Sequence, residues 1–134
     1  MPAPLPLVDP DSIGFWESAD QGKFALQQCE SCSSYMYPPV GVCRKCGGGL
    51  SYKPLSGKGE IYSFIVQHHG VTGGYEDKLP YVIAVVSPDE APHLHFPTHI
   101  VDADPQRVRV GDRVQAKFER PEGAEHAIVV FAPA

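Results

Sequence analysis

A chain of 134 residues with 43% hydrophobic content has room for one domain or two small modules, and it holds no apolar run near the ~20 residues that a membrane helix needs. Its net charge of −5 argues against a protein that depends on many non-specific phosphate contacts. The 13 glycines and 14 prolines favour short strands joined by turns over long helices. Charge is uneven. Between Gln21 and Glu60 stand five basic residues (Lys23, Arg44, Lys45, Lys53, Lys58) and two acids (Glu30, Glu60), so a mildly basic segment adjoins an acidic remainder.

Residues 1–9 read as an extended, proline-broken arm without a basic leader region, and a cytoplasmic location is expected. Asp9 or Asp11 can cap a short helix running to about Ala19, with Pro10 tolerated in the first turn and Asp20 and Gly22 ending it. Phe15 and Trp16 are too large to be buried within so short a helix. They must dock on the rest of the chain or on a partner.

Lys23–Gln28 reads as a strand entering a cluster that contains all the cysteines of the chain: Cys29, Cys32, Cys43 and Cys46. The pattern is C-x2-C, ten residues, C-x2-C. Two such pairs point four thiolates at one tetrahedral ion with Zn–S near ~2.3 Å, and a four-sulfur shell leaves no position open for substrate. The spacing suits a metal knuckle better than two disulfides or a redox pair, which would want a βαβ setting. Zinc is expected, and iron remains chemically possible because both accept tetrahedral sulfur. Gly47 after Cys46 supplies a positive φ for the turn around the metal, whereas Ser33 after Cys32 must accept a strained turn or make a looser one. Between the pairs, Pro38-Pro39 exclude a helix, and Tyr35 and Tyr37 are expected to cover the sulfurs. Leu50–Pro54 is the strand leaving the second knuckle.

From Gly57 onward the pattern is β. Gly59–Gln67 is apolar on both faces, Tyr81–Val86 is a continuous apolar run, and His93–Val101 holds a third strand broken by Pro97. Arg113–Glu119 alternates in and out after the Gly111-Asp112 turn, and Ala127–Phe131 closes the set. Five strands without a helical crossover suggest a small closed barrel of OB type. The expected architecture is mainly β: an arm and short helix (1–22), a four-cysteine zinc ribbon (23–56) and a five-stranded OB-fold barrel (57–134). The longest interruption, His68–Pro80, is glycine-rich, a kind of loop that often carries binding function. Its G-V-T-G-G stretch at 70–74 precedes no helix and is weak as a phosphate cradle.

The order F-x-L-Q-x-C-x-x-C, Y-P-P, C-x-x-C, L-S-G-K-G-E-I-Y-S-F, P-Y-V-I-A-V-V and V-G-D-R-V resembles the DUF35 family, from about Asp11 to Phe131. The resemblance implies a rubredoxin-like zinc ribbon joined to an OB-fold. It also implies an accessory subunit of a thiolase-fold acyl-CoA enzyme (thiolase, acyltransferase or steroid side-chain aldolase), with catalysis on the other polypeptide and the metal held by the four cysteines. Two positions depart from the family: Ser33 replaces a common glycine, and Val40 replaces a frequent arginine after the diproline.

On this reading Arg44, Lys45, Lys53 and Lys58 are the candidates to meet CoA phosphates, and Phe15, Trp16, His68 and His69 are the candidates for partner contact. Catalytic residues are not expected, because the thiols are committed to metal and no nucleophile–base motif is present. His93 and His95, two apart on one strand face, could form a second metal site with His99, but strand-end histidines are ordinarily exposed or partly packed. Two other functions compete. A single-stranded nucleic-acid module is opposed by the acidic barrel. An iron electron-transfer protein would announce itself by an iron–thiolate absorption band.

Overall fold

The structure is a computed structural model describing residues 4–70 and 73–134. Part of the N-terminal arm (1–3) and the centre of the G-V-T-G-G stretch (Val71, Thr72) lie outside the described residues. The chain opens with helix α1 (Ile13–Asp20). Asp9 caps its approach: its Oδ1 accepts from the Ser12 N–H at 2.8 Å, and Ser12 Oγ accepts from the Asp9 N–H at 3.1 Å.

Strands β1 (Ala25–Cys29), β2 (Tyr35–Met36) and β3 (Leu50–Pro54) form an antiparallel sheet in the order β2-β1-β3. Helix α1 packs on this sheet at Gly14. A side chain there would meet the Tyr52 ring at 2.2 Å, so the helix tolerates glycine's entropic cost in exchange for close approach. The Tyr52 hydroxyl fixes the contact by donating to the Asp11 carbonyl at 2.6 Å.

The second sheet comprises β4 (Lys58–Gln67), β5 (Tyr81–Pro88), β6 (Phe96–Ile100), β7 (Arg113–Glu119) and β8 (Ile128–Pro133), with a 3-10 turn (Glu76–Lys78) before β5. It closes as β4-β5-β6-β8-β7, with β7 returning to β4. All pairings are antiparallel except β6 with β8. This is the expected five-stranded OB barrel, whose closure leaves no strand edge unpaired around the ring.

Two strand expectations need correction. β4 is not buried on both faces. A bulge between Ile61 and Ser63 resets its parity, so Ile61 points into the barrel while Tyr62 and Ile65 stand 55% and 57% exposed. Pro97 does not break its strand. It lies opposite Val85, and β6 pairs with β8 only at Ile100↔Phe131, so one side of β6 at Pro97 carries no ladder for the missing N–H to interrupt.

One core runs through both sheets: Phe15, Phe24 and Leu26 from the N-terminal part join Ile61, Val86, Val114 and Phe131 of the barrel. Phe96 is its hub, with ring centroids 5.8 Å from Phe15, 5.1 Å from Phe24, 5.1 Å from Tyr37 and 6.1 Å from Phe131. Phe15, 7% exposed, is thus taken up within this chain, which corrects the expected partner contact at that residue. Trp16 is only partly buried. It meets Phe15 edge-on at 5.0 Å and donates its indole N–H to Ser12 Oγ at 3.3 Å.

A second long-range tie joins helix to barrel. The Asp20 carboxylate accepts from the Ala127 N–H at 2.7 Å, from Arg120 at 2.9 Å, and lies 2.6 Å from His126 Nδ1. These partners, the Ala127 N–H foremost and then His126, hold its pKa below the ordinary 3.8. A depressed carboxylate stabilises the fold fully above its unfolded pKa, and the contribution is lost as pH falls through the lowered folded value. Acid unfolding of the native chain should therefore steepen below about pH 4. Asp20→Asn should lower the melting temperature at neutral pH and flatten that part of the profile. An unchanged acid limb would remove Asp20 as the tie.

Candidate metal centre

Cys29 closes β1, Cys32 follows on the first knuckle, and Cys43 and Cys46 form the second. All four are free thiols whose sulfurs lie within 4.8 Å of one another. Cys29 Sγ is 3.4 Å from Cys46 Sγ, and Cys32 Sγ is 3.7 Å from Cys43 Sγ. A tetrahedron with ~2.3 Å metal–sulfur bonds has edges near ~3.8 Å, so the cage fits Zn²⁺ or iron.

The knuckles are built alike. The Ser33 N–H donates to the Cys29 carbonyl at 3.0 Å and the Gly47 N–H to the Cys43 carbonyl at 2.9 Å. Ser33 has φ 63° and Gly47 has φ 74°, so the first knuckle does accept a side chain in the left-handed region. Backbone N–H groups face the sulfurs: Ser31 and Cys32 toward Cys29 at 3.4 Å each, and Lys45 toward Cys43 at 3.3 Å.

The same crowding sets the thiol chemistry. The N–H groups of Cys32 and then Ser31 pull Cys29 below the usual thiol range. The Ser34 hydroxyl and its N–H hold Cys32 at about 6. At Cys46 the Gly48 N–H acts to lower the pKa, but the facing sulfurs of Cys29 and Cys32, with burial, leave it pushed up to about 12. Four thiols this close do not all ionise by themselves; a divalent cation supplies the missing positive charge. With all four sulfurs engaged the metal has no open position and acts as a staple.

Cys29 and Cys43 are buried against Met36, with Val40 and Leu50 beside them. Met36 therefore covers the sulfurs, while Tyr35 and Tyr37 turn to the main core, a correction to the expected role of those tyrosines. Alternation along β2 puts adjacent residues on opposite faces.

Sequence reasoning missed Gln27. It is 6% exposed, its Nε2 donates to the Val40 carbonyl at 2.8 Å, and its Oε1 accepts from the Val40 N–H at 2.9 Å. This two-point clasp ties the loop between the knuckles to β1. A glutamine pair at 27–28 between Leu26 and Cys29 was the available signal. Gln27→Leu should cost about 1–3 kcal/mol, because it leaves both Val40 groups without a partner, and should speed metal loss to a chelator. An unchanged rate would reduce Gln27 to a packing residue.

The remaining expected site residues are dispersed. Arg44 and Lys45 are exposed on the second knuckle, Lys53 sits on β3 opposite Leu26, and Lys58 opens β4 opposite Gln115. His68 and His69 are exposed just beyond β4. The other histidines do not converge. His95 stacks on Tyr62 at 4.2 Å and His99 on Tyr81 at 5.1 Å, and among the described residues the four cysteines are the one cluster suited to a metal.

The fold and the site define a class: a four-cysteine ribbon sharing one core with an OB barrel. Comparison with known proteins agrees. The ChsH2 rubredoxin-like zinc ribbon domain matches residues 16–51, and the ChsH2 C-terminal OB-fold domain matches residues 52–119. A DUF35 domain-containing scaffold protein of Methanothermobacter thermautotrophicus is 33% identical over 105 residues, covering 75% of this chain and 77% of that one. A probable enoyl-CoA hydratase alpha subunit of Thermomonospora curvata is 30% identical over 132 residues, 98% of this chain but 40% of that one. Among solved structures, a chain of the Ltp2-ChsH2(DUF35) aldolase superposes with a TM-score of 0.85 at 29% identity, covering 96% of this chain and 98% of that one. The chain belongs to the DUF35 family, and it spans less than half of the hydratase subunit that it resembles. Among the described residues no helix is long and apolar enough to cross a membrane.

Proposed function

We propose that this chain is a non-catalytic, zinc-bound accessory subunit that assembles with a thiolase-fold acyl-CoA enzyme in the cytoplasm and stabilises that enzyme or its CoA and acyl site. The observation that carries the reading is the closed four-sulfur cage. It provides folding energy and leaves no Lewis-acid position. Kinship with proteins named as scaffolds, and with the DUF35 chain of an aldolase, supports a helper role. Zinc is favoured over iron because the site needs no redox change, and reduced thiols suit the cytoplasm. Trp16, His68 and His69 are the proposed contacts, together with the exposed Tyr62 and Ile65 on the outer face of β4.

Co-expression with a thiolase-fold protein from the same genome tests this. A hetero-oligomer of defined mass should form, with thioester turnover present in the complex and absent from this chain alone. Turnover of an acyl-CoA by the isolated chain would overturn the reading. An iron–thiolate band in the purified protein would replace zinc.

A further inference from the structure

The four thiols of the cage are not equivalent. Cys29 and Cys43 are 2% and 3% exposed, whereas Cys32 and Cys46 are exposed residues. Each knuckle therefore contributes one covered ligand and one open one. The covered pair lies against Met36, with Val40 and Leu50 beside it. Gly48 closes over Cys29 as well, since a side chain at that position would meet Cys29 Sγ at 3.0 Å. The short sulfur contacts run between knuckles, and each joins an open cysteine to a covered one. Cys46 faces Cys29 at 3.4 Å, and Cys32 faces Cys43 at 3.7 Å. The pairs span 17 and 11 residues and nest, Cys32–Cys43 inside Cys29–Cys46. Both can close in one chain without crossing.

We infer that the cage is a site of reversible oxidation by peroxides, at which Cys46 and Cys32 react first and Cys29 and Cys43 resolve them, so that two knuckle-to-knuckle disulfides replace the metal. Reaction starts at the open cysteines because peroxide arrives from solvent, and susceptibility follows thiolate character and exposure. The Cys46 thiolate attacks one peroxide oxygen. The O–O bond breaks, a sulfenic acid forms on Cys46, and hydroxide leaves and takes up a proton as water. The Cys29 thiolate then attacks the sulfenic sulfur. The S–O bond breaks, the S–S bond forms, and the second hydroxide leaves as water. Two thiolates have given up two electrons, and the peroxide has gained them. Cys32 and Cys43 repeat the sequence with a second peroxide. No thiolate then remains to hold a divalent cation, and the metal is released.

The alternative is closure within each C-x2-C pair. It would use neither of the short contacts, and it would leave the knuckles unlinked once the metal has gone. The cross-linked product joins the same two turns that the metal joined, so a covalent staple succeeds an ionic one. The inference rests on the metal-bound cage of the reading above and not on the partner enzyme.

The test uses the full zinc-loaded chain, treated with hydrogen peroxide beside a chromogenic zinc chelator. Zinc should appear in step with the loss of thiols, about one equivalent per chain for two of peroxide consumed. Peptide mass spectrometry without reduction should find Cys29–Cys46 and Cys32–Cys43. Dimedone, which traps sulfenic acids, should label Cys46 and Cys32 and spare Cys29 and Cys43. After removal of the peroxide, a phosphine reductant followed by zinc should restore four free thiols and the metal. Every readout is taken on the native sequence, so a folding defect cannot imitate the result. Retention of zinc and of all four thiols in excess peroxide overturns the site. Dominant Cys29–Cys32 and Cys43–Cys46 bonds overturn the pairing, and dimedone on the covered cysteines overturns the order of reaction. Sulfinic acids that the phosphine does not reverse overturn the reversibility. Failure of the oxidation leaves the cage and the accessory role standing, because metal analysis and co-expression read those separately.

Discussion

Cys43→Ala should purify without stoichiometric metal and with its two cysteine knuckles unfolded. Cys43 is 3% exposed, and its Sγ faces Cys32 Sγ at 3.7 Å. Its loss removes one of four ligands and opens the buried corner against Met36. At the knuckles the ribbon has little else to hold it, because Phe24 and Leu26 lie in the core shared with the barrel, away from the cage. The second cluster of apolar side chains comprises Cys29, Met36 and Cys43, flanked by Val40 and Leu50. Metal binding supplies about 10–16 kcal/mol of apparent free energy in small zinc peptides, far more than so small a cluster offers. Metal analysis of the variant, and amide spectra of β1–β3 before and after chelation of the native chain, should tell the same story. The barrel signals should persist more than those of the ribbon, because the barrel closes on its own ladders. One full equivalent of metal in Cys43→Ala would refute the four-sulfur assignment, and a fully ordered ribbon after chelation would refute the staple.

Phe96→Ala should cost about 3–5 kcal/mol, the range for emptying an aromatic site in a packed core. The ring touches a helix residue, a ribbon residue, the loop between the knuckles and a barrel strand through Phe15, Phe24, Tyr37 and Phe131. Its removal attacks the junction and leaves the cage untouched. Denaturation midpoints should fall sharply while metal content stays at one per chain, the opposite signature to Cys43→Ala. Domains are stable by only about 5–15 kcal/mol, so the variant should sit near its unfolding threshold at ordinary temperature. A cost below about 1 kcal/mol would mean that the cavity collapses, or that the two sheets do not depend on this contact.

Much of the fold is local and was therefore legible. Leu50–Pro54 and Arg113–Glu119 have the strand boundaries that their residues announce. The other expected strands differ by a few residues at their ends. The four ligands were legible because two-residue spacing on a turn dictates convergence, and the turn after each pair forms whether glycine or serine follows. The β4 face was misread because a one-residue bulge reverses every side chain beyond it, and its sequence carries no mark at Tyr62. The tyrosines between the knuckles were misassigned because β2 is two residues long, too short for its alternation to be seen.

The amino-acid order by itself determined the metal cage, the succession of ribbon and barrel strands, and the family to which the chain belongs. All of these depend on spacing and on periodicity within a few residues. Only the tertiary structure decided that Phe15 turns inward, that Asp20 ties the helix to Ala127, that Gln27 clasps Val40, and that Tyr75, Tyr81 and His99 pack against one another. Those contacts join segments up to 107 residues apart. Such contacts are set by how the closed barrel curves and where the helix comes to rest on it, and that geometry has no counterpart in local pattern.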